Sequence, residues 1–183
     1  MATAQQTKYT PEDLLNIRDR PMPELVDGEL VEREMGQKAD VIASNFHFFI
    51  SSCVRAGDLG LVNGSQGSYQ IFPDDPRKVR IPDVSFTRKE RLPKTGPAEG
   101  HGLIAPDLVV EVIAPNDSAS MMQEKIDDYL AAGIPLVWVA NPDSRSVTVW
   151  RQNGTGCLLR IGDTLEGEDV LPGFRVEVAT LFT

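Results

Sequence analysis

The chain has 183 residues, 41% of them hydrophobic and 25% charged, the balance of an ordinary globular protein long enough to bury a sizeable core. No stretch approaches the roughly 20 consecutive apolar residues of a membrane span, and the opening MATAQQTKYT lacks the basic and apolar regions of a secretory signal, so a cytoplasmic protein without a membrane partner is expected. A net charge of −9 argues against a globally basic nucleic-acid-binding surface, and Cys53 and Cys157 are expected as free thiols.

In chain order, residues 1–9 read as a flexible start. Thr10-Pro11-Glu12-Asp13 then opens a short helix ending near Arg18, with threonine as cap, proline at the first position and acids in the first turn. Residues 24–32 read as two strands around the Asp27-Gly28 turn. A long helix is expected over residues 38–56, with Val41, Ile42, Phe46, Phe49, Ile50, Cys53 and Val54 as its apolar stripe and Gly57 as its stop. Asp40, Ser44, His47 and Ser51 share the opposite face, which sets His47 aside as a site residue.

Residues 59–63 and 67–72 are short strand candidates, and Pro73-Asp74-Asp75-Pro76 is a turn. Over residues 80–87 a further strand alternates, with Ile81, Asp83, Ser85 and Thr87 on one face and Pro82, Val84 and Phe86 on the other. Arg77, Lys78, Arg80, Arg88, Lys89, Arg91 and Lys94 form either a local cationic patch or a solvated loop. Residues 88–105 have loop composition.

The centre of the chain is residues 107–142. An apolar strand, Leu108-Val109-Val110-Glu111-Val112-Ile113, leads through a polar break into an amphipathic helix closed by Gly133, and a second apolar strand, Leu136 to Ala140, follows. Such a strand–helix–strand unit builds a parallel pair whose strands are buried on both faces. Beyond it come a hairpin over residues 146–151 and 157–161, and a tail over residues 171–182 with an edge strand and a short packing segment. One α/β domain spanning residues 1–183, a mixed central sheet flanked by helices with hairpins toward each end, fits this order.

Glu111 is the anomaly, because an ionised carboxylate inside an apolar strand is costly unless a cation, a metal or donors meet it. If the strands of Asp83 and Glu111 are neighbours, both carboxylates converge on one cation, and hard oxygen ligands suit Mg²⁺ or Mn²⁺. Asp83 as a turn cap and Glu111 as a salt-bridge partner are the structural alternatives. Lys125 falls on the inner stripe of the helix with Met121, Met122, Ile126, Tyr129 and Leu130; it either neutralises Glu111 or offsets charge on a reacting phosphate. His101, in the Gly100-His101-Gly102 loop, reads as a bystander. Gly64, Gly67, Gly154 and Gly156 sit in turns without the strand–loop–helix setting of a nucleotide site.

The ordered set Pro82-Asp83, Glu111-Val112-Ile113, Lys125 with Tyr129 and Gly133, together with the hairpin Glu24 to Leu30, the run Ala105 to Val112, Trp138 to Pro142 and Leu171-Pro172-Gly173, resembles the putative restriction endonuclease family of the PD-(D/E)XK superfamily. The resemblance covers residues 11–182. It implies a restriction-endonuclease-like fold, Mg²⁺-dependent hydrolysis of phosphodiesters in nucleic acid, foremost DNA, and a homodimer. It further implies that Asp83, Glu111 and the Val112 carbonyl hold the metal, that Lys125 replaces the lysine usually found where Ile113 stands, and that Glu29 is an additional carboxylate. Asp40 stands where relatives often have a histidine, which leaves that histidine's role without a counterpart. A binding module that keeps the fold without cleaving, and a hydrolase of another phosphate ester, remain as alternatives.

Overall fold

The structure, a computed structural model, describes residues 8–18, 21–33 and 36–183, and the flexible start expected over residues 1–9 falls almost wholly outside them. Helix α1 (Pro11–Asn16) opens on a capping box: the Asp13 N–H donates to Thr10 Oγ1 at 3.2 Å and the Thr10 N–H donates to Asp13 Oδ2 at 2.9 Å. Strands β1 (Glu24–Val26) and β2 (Glu29–Val31) pair across Asp27 and Gly28, whose φ angles of 53° and 82° match a tight primed turn. Helix α2 (Gln37–Gly57) runs through the expected stop at Gly57, and Asp58 takes the left-handed position at φ 50°. An Asp tolerates that conformation, so the helix gains a residue.

A six-stranded sheet follows in the order β3-β4-β5-β6-β7-β8: β3 (Gly60–Asn63), β4 (Val84–Arg88), β5 (Leu108–Val112), β6 (Leu136–Asn141), β7 (Ser146–Arg151) and β8 (Gly156–Leu159). Only β5 and β6 are parallel, joined by helix α3 (Ala119–Ala131), which Ser118 caps by accepting the Met121 N–H. The mixed sheet between helices is therefore the restriction-endonuclease-like architecture expected. Helix α2 covers one face, burying Ile42, Phe46 and Ile50 against Val84, Phe86, Val110 and Trp138. Helix α3 covers the other, where Met122, Ile126 and Tyr129 meet Val109, Val137 and Val139. Period-two alternation in β5 thus sends Val110 and Val112 to α2, and Val109 and Glu111 to α3.

Three strand expectations change. Residues 67–72 form no strand; only Tyr69 makes isolated bridges, to Arg80 and Gly102. The strand expected over residues 80–87 begins at Val84, because Val79 and Arg80 bridge to Leu25 and Tyr69 instead, and Pro82 lacks a ladder donor. The tail does not extend the central sheet: β10 (Arg175–Glu177) pairs with β9 (Thr164–Glu166), a strand the pattern did not reveal, and helix α4 (Val178–Leu181) follows. Among the described residues no helix is long and apolar enough to cross a membrane.

Candidate active site

Asp83 and Glu111 reach one place because β4 and β5 are antiparallel neighbours, in register with Val84 opposite Val110. The ladder ends at that pair, and Pro82, just before Asp83, has no N–H to offer. The Asp83 side chain takes over the ladder there, its Oδ2 accepting the Val112 N–H at 2.8 Å. A residue's N–H and C=O leave a strand on the same side. The Val112 carbonyl therefore leaves β5 on the side of Asp83. The other Asp83 oxygen, Oδ1, accepts from Arg33 Nη2 at 3.1 Å.

Glu111 projects under α3, which was expected to carry Lys125 on its inner face. Tyr129 donates its hydroxyl to Glu111 Oε1 at 2.5 Å, and Lys125 Nζ stands 3.4 Å from Oε2. Lys125 is also 3.3 Å from Oε1 of Glu24, a fully buried carboxylate at the start of β1. Glu24 is held further by the Ile81 N–H at 2.9 Å and by Arg80 Nη1 at 3.1 Å. Glu24, Arg33, Asp83, Glu111, Val112 and Lys125 border a cavity of about 50 Å³. That is room for a small ion with a water or two.

The charges at this cavity are unevenly met. Burial, with Glu111 adding to it, pushes the Asp83 carboxyl up to about 7 against the pull of Arg33, the Val112 N–H and Lys125. Burial works the same way on Glu24, but Lys125, Arg80 and the Ile81 N–H outweigh it and hold that carboxyl below its ordinary value. Burial opposes the charge on Lys125, yet Glu111 and Glu24 raise its ammonium well above the ordinary lysine, so it is a permanent cation. Burial and the carboxylates of Glu111 and Glu24 likewise keep the proton on Tyr129, which fixes it as a donor. Among the described residues no three Asp, Glu, His or Cys side chains close a metal site by themselves. The donor set, two carboxylates and a strand carbonyl, fits instead a hard ion that keeps waters or phosphate oxygens, as Mg²⁺ does.

Of the residues expected here, Asp83, Glu111, Val112 and Lys125 come together and Glu29 does not. Glu29 is exposed beside the turn of the hairpin, opposite Val26 and two residues along β2 from Val31, which borders the cavity. Glu24, at the other end of the hairpin, borders the cavity instead. The signal was available, since Glu24 opens an apolar strand just as Glu111 interrupts one. Arg33 and Arg80 left no such sign.

His47, set aside as lying on the wrong face, borders a recess of about 270 Å³ with Asp40, Ser44, Ser65 and Asp83 itself, so that face of α2 looks toward the site. His101 stays a bystander, its ring nitrogens 2.8 Å from Ser68 Oγ and 2.8 Å from the Pro11 carbonyl, where it ties a loop to α1. Six of the seven residues of the cationic cluster pair with acids: Arg77 with Asp75, Lys78 and Arg80 with Asp128, Arg88 and Arg91 with Asp107, and Lys89 with Asp58. Both cysteines are free thiols.

A family model described as "Putative restriction endonuclease", Uma2, matches residues 11–179. The chain belongs to that family. Its fold is similar to the crystal structure of a putative nuclease belonging to DUF820 from Anabaena variabilis, with a TM-score of 0.78, 22% identity, and coverage of 94% of this chain and 97% of that one. No curated protein matches.

Proposed function

We propose that this Uma2-family chain is a Mg²⁺- or Mn²⁺-dependent endonuclease that hydrolyses phosphodiester bonds in nucleic acid, with DNA as the first substrate to test. The observation that carries the reading is the meeting of Asp83 and Glu111 at one small cavity, with Lys125 on Glu111 and the Val112 carbonyl at the same strand end. Asp83, Glu111 and the Val112 carbonyl would hold the ion. When bound, such an ion supplies a water of lowered pKa and a clamp on phosphate oxygens.

The chain's own residues do the rest. Tyr129 and Lys125 orient the two Glu111 oxygens from one face of α3. Glu24 holds Lys125 from the other side, so the ammonium stays at the cavity edge, placed to offset charge that builds on a phosphate in the transition state. Glu24, rather than Glu29, is the additional carboxylate in this reading. A homodimer, suggested by the resemblance to the family, is tested by light scattering of the full chain.

The reading is tested by calorimetric titration of Mn²⁺ into wild type and Glu111→Gln, followed by plasmid cleavage in Mg²⁺. Binding and cleavage are expected in wild type and neither in the variant. Equal Mn²⁺ affinity in both would make Glu111 an ion-pair partner only. One observation favours a second reading: with a net charge of −9 and the basic cluster engaged by acids, a smaller phosphate ester could replace the polymer as substrate. Turnover of a bis-aryl phosphodiester with plasmid left intact would select it.

A further inference from the structure

Arg33 lies just beyond β2, and its side chain is 8% exposed. Among the described residues its guanidinium makes two contacts, Nη2 to Asp83 Oδ1 at 3.1 Å and Nη1 to the Ser65 carbonyl at 3.0 Å. The two cations bordering the cavity differ in how firmly they are tied. Lys125 stands between Glu111 and Glu24, so removing it would leave two buried carboxylates short of charge. Arg33 serves one carboxylate and one backbone oxygen of a surface loop. It sits, moreover, on the only Asp83 oxygen that the Val112 N–H does not already hold. A cation that binds Asp83 through Oδ1 would therefore take the oxygen where Arg33 stands.

Resting on the metal-dependent reading above, we infer that Arg33 is the resident counter-cation of Asp83, exchanged for the divalent ion when the site is loaded. Without it, Asp83 would be a buried carboxylate facing Glu111 with one backbone donor, and such a group is strongly destabilising. With it, the metal-free protein is stable and metal binding is competitive. Asp83 borders both the cavity and the recess lined by His47 and Asp40, and the guanidinium spans from Asp83 to Ser65, which borders the second. Release of Arg33 thus frees space on both sides of Asp83.

The test compares wild type, Arg33→Gln and Arg33→Lys by Mn²⁺ calorimetry and by melting temperature with and without Mn²⁺. Arg33→Gln is expected to melt lower when metal-free, yet to bind Mn²⁺ about tenfold tighter, the factor that corresponds to about 1.4 kcal/mol. Its melting temperature should then rise more on adding Mn²⁺ than that of wild type. Arg33→Lys, which keeps the charge but loses the planar fork, should also bind tighter than wild type and answers the question if Arg33→Gln does not fold. Unchanged or weaker Mn²⁺ binding in the folded variants, beside binding in wild type, overturns the exchange and leaves the metal reading standing. Absence of Mn²⁺ binding in every protein overturns both.

Discussion

Two buried clusters of charge lie side by side and share Glu24, yet they differ in kind. In the first, Arg80 is gripped by Glu24 at 3.1 Å, Asp128 at 2.7 Å and Glu124 at 2.9 Å, and Lys78 adds a contact to Asp128 at 2.5 Å. Glu24 there is met by Arg80 and the Ile81 N–H and, from the neighbouring cluster, by Lys125, and it is held below its ordinary pKa in spite of burial. In the second, Asp83 and Glu111 face each other with Arg33 and Lys125 as partners, and burial together with Glu111 leaves Asp83 raised to about 7. The first cluster ties β1, the segment before β4 and α3 together. The second borders a cavity and would be relieved by one more cation. A buried acid is informative about function when its charge is incompletely met beside an open space.

The comparison breaks most directly at Arg80. Arg80→Ala should cost about 3–5 kcal/mol of stability in a denaturant titration, because it strands the buried Glu24 and Asp128 carboxylates. A loss below about 1 kcal/mol would mean that the first cluster is not structural.

Lys125 sharpens the contrast from the other side. Lys125→Met should lower turnover on nucleic acid about 100-fold while changing Mn²⁺ affinity far less, as expected of a group that acts on transition-state charge. Equal losses in both would return Lys125 to the structural cluster as a holder of Glu111.

A third expectation concerns pH. Folded Asp83 keeps its proton to about 7, whereas its ordinary value is 3.8. Between those values the folded protein binds more protons than the unfolded chain, so this group lowers stability as pH rises from about 4 to about 7 and contributes no further change above. Melting temperature in a chelator should fall through that window less steeply in Asp83→Asn than in wild type. Mn²⁺ affinity should rise about tenfold or more over the same window, because the ion competes with the proton. Parallel melting slopes in the two proteins would show that Asp83 is fully compensated, like Glu24.

The smallest effect is expected at Glu29. Being exposed near the hairpin turn, Glu29→Gln should leave stability within about 0.5 kcal/mol and Mn²⁺ affinity unchanged. A tenfold loss of affinity would bring Glu29 back to the metal.

Much of this was legible in the chain. The Thr10 cap, the Asp27-Gly28 turn, the stripe of α2 and the strand–helix–strand run through β5, α3 and β6 all follow from local propensity and period, which neighbouring residues express without help. Glu111 stood out because an apolar strand has no ordinary use for a carboxylate, and the spacing of Lys125 from Tyr129 placed both on the inner face of one helix. What only the tertiary structure decided are the partners that arrive from far along the chain. Arg33 meets Asp83 across 50 positions, Arg80 meets Glu24 across 56, and Tyr69 meets Ser85 from a segment that is no strand at all. The choice of Glu24 over Glu29 and the late start of β4 belong to the same class. Ion pairs of this sort depend on which side chains the packed sheet brings within about 3 Å of one another, and neither hydrophobic period nor capping chemistry carries that information along the sequence.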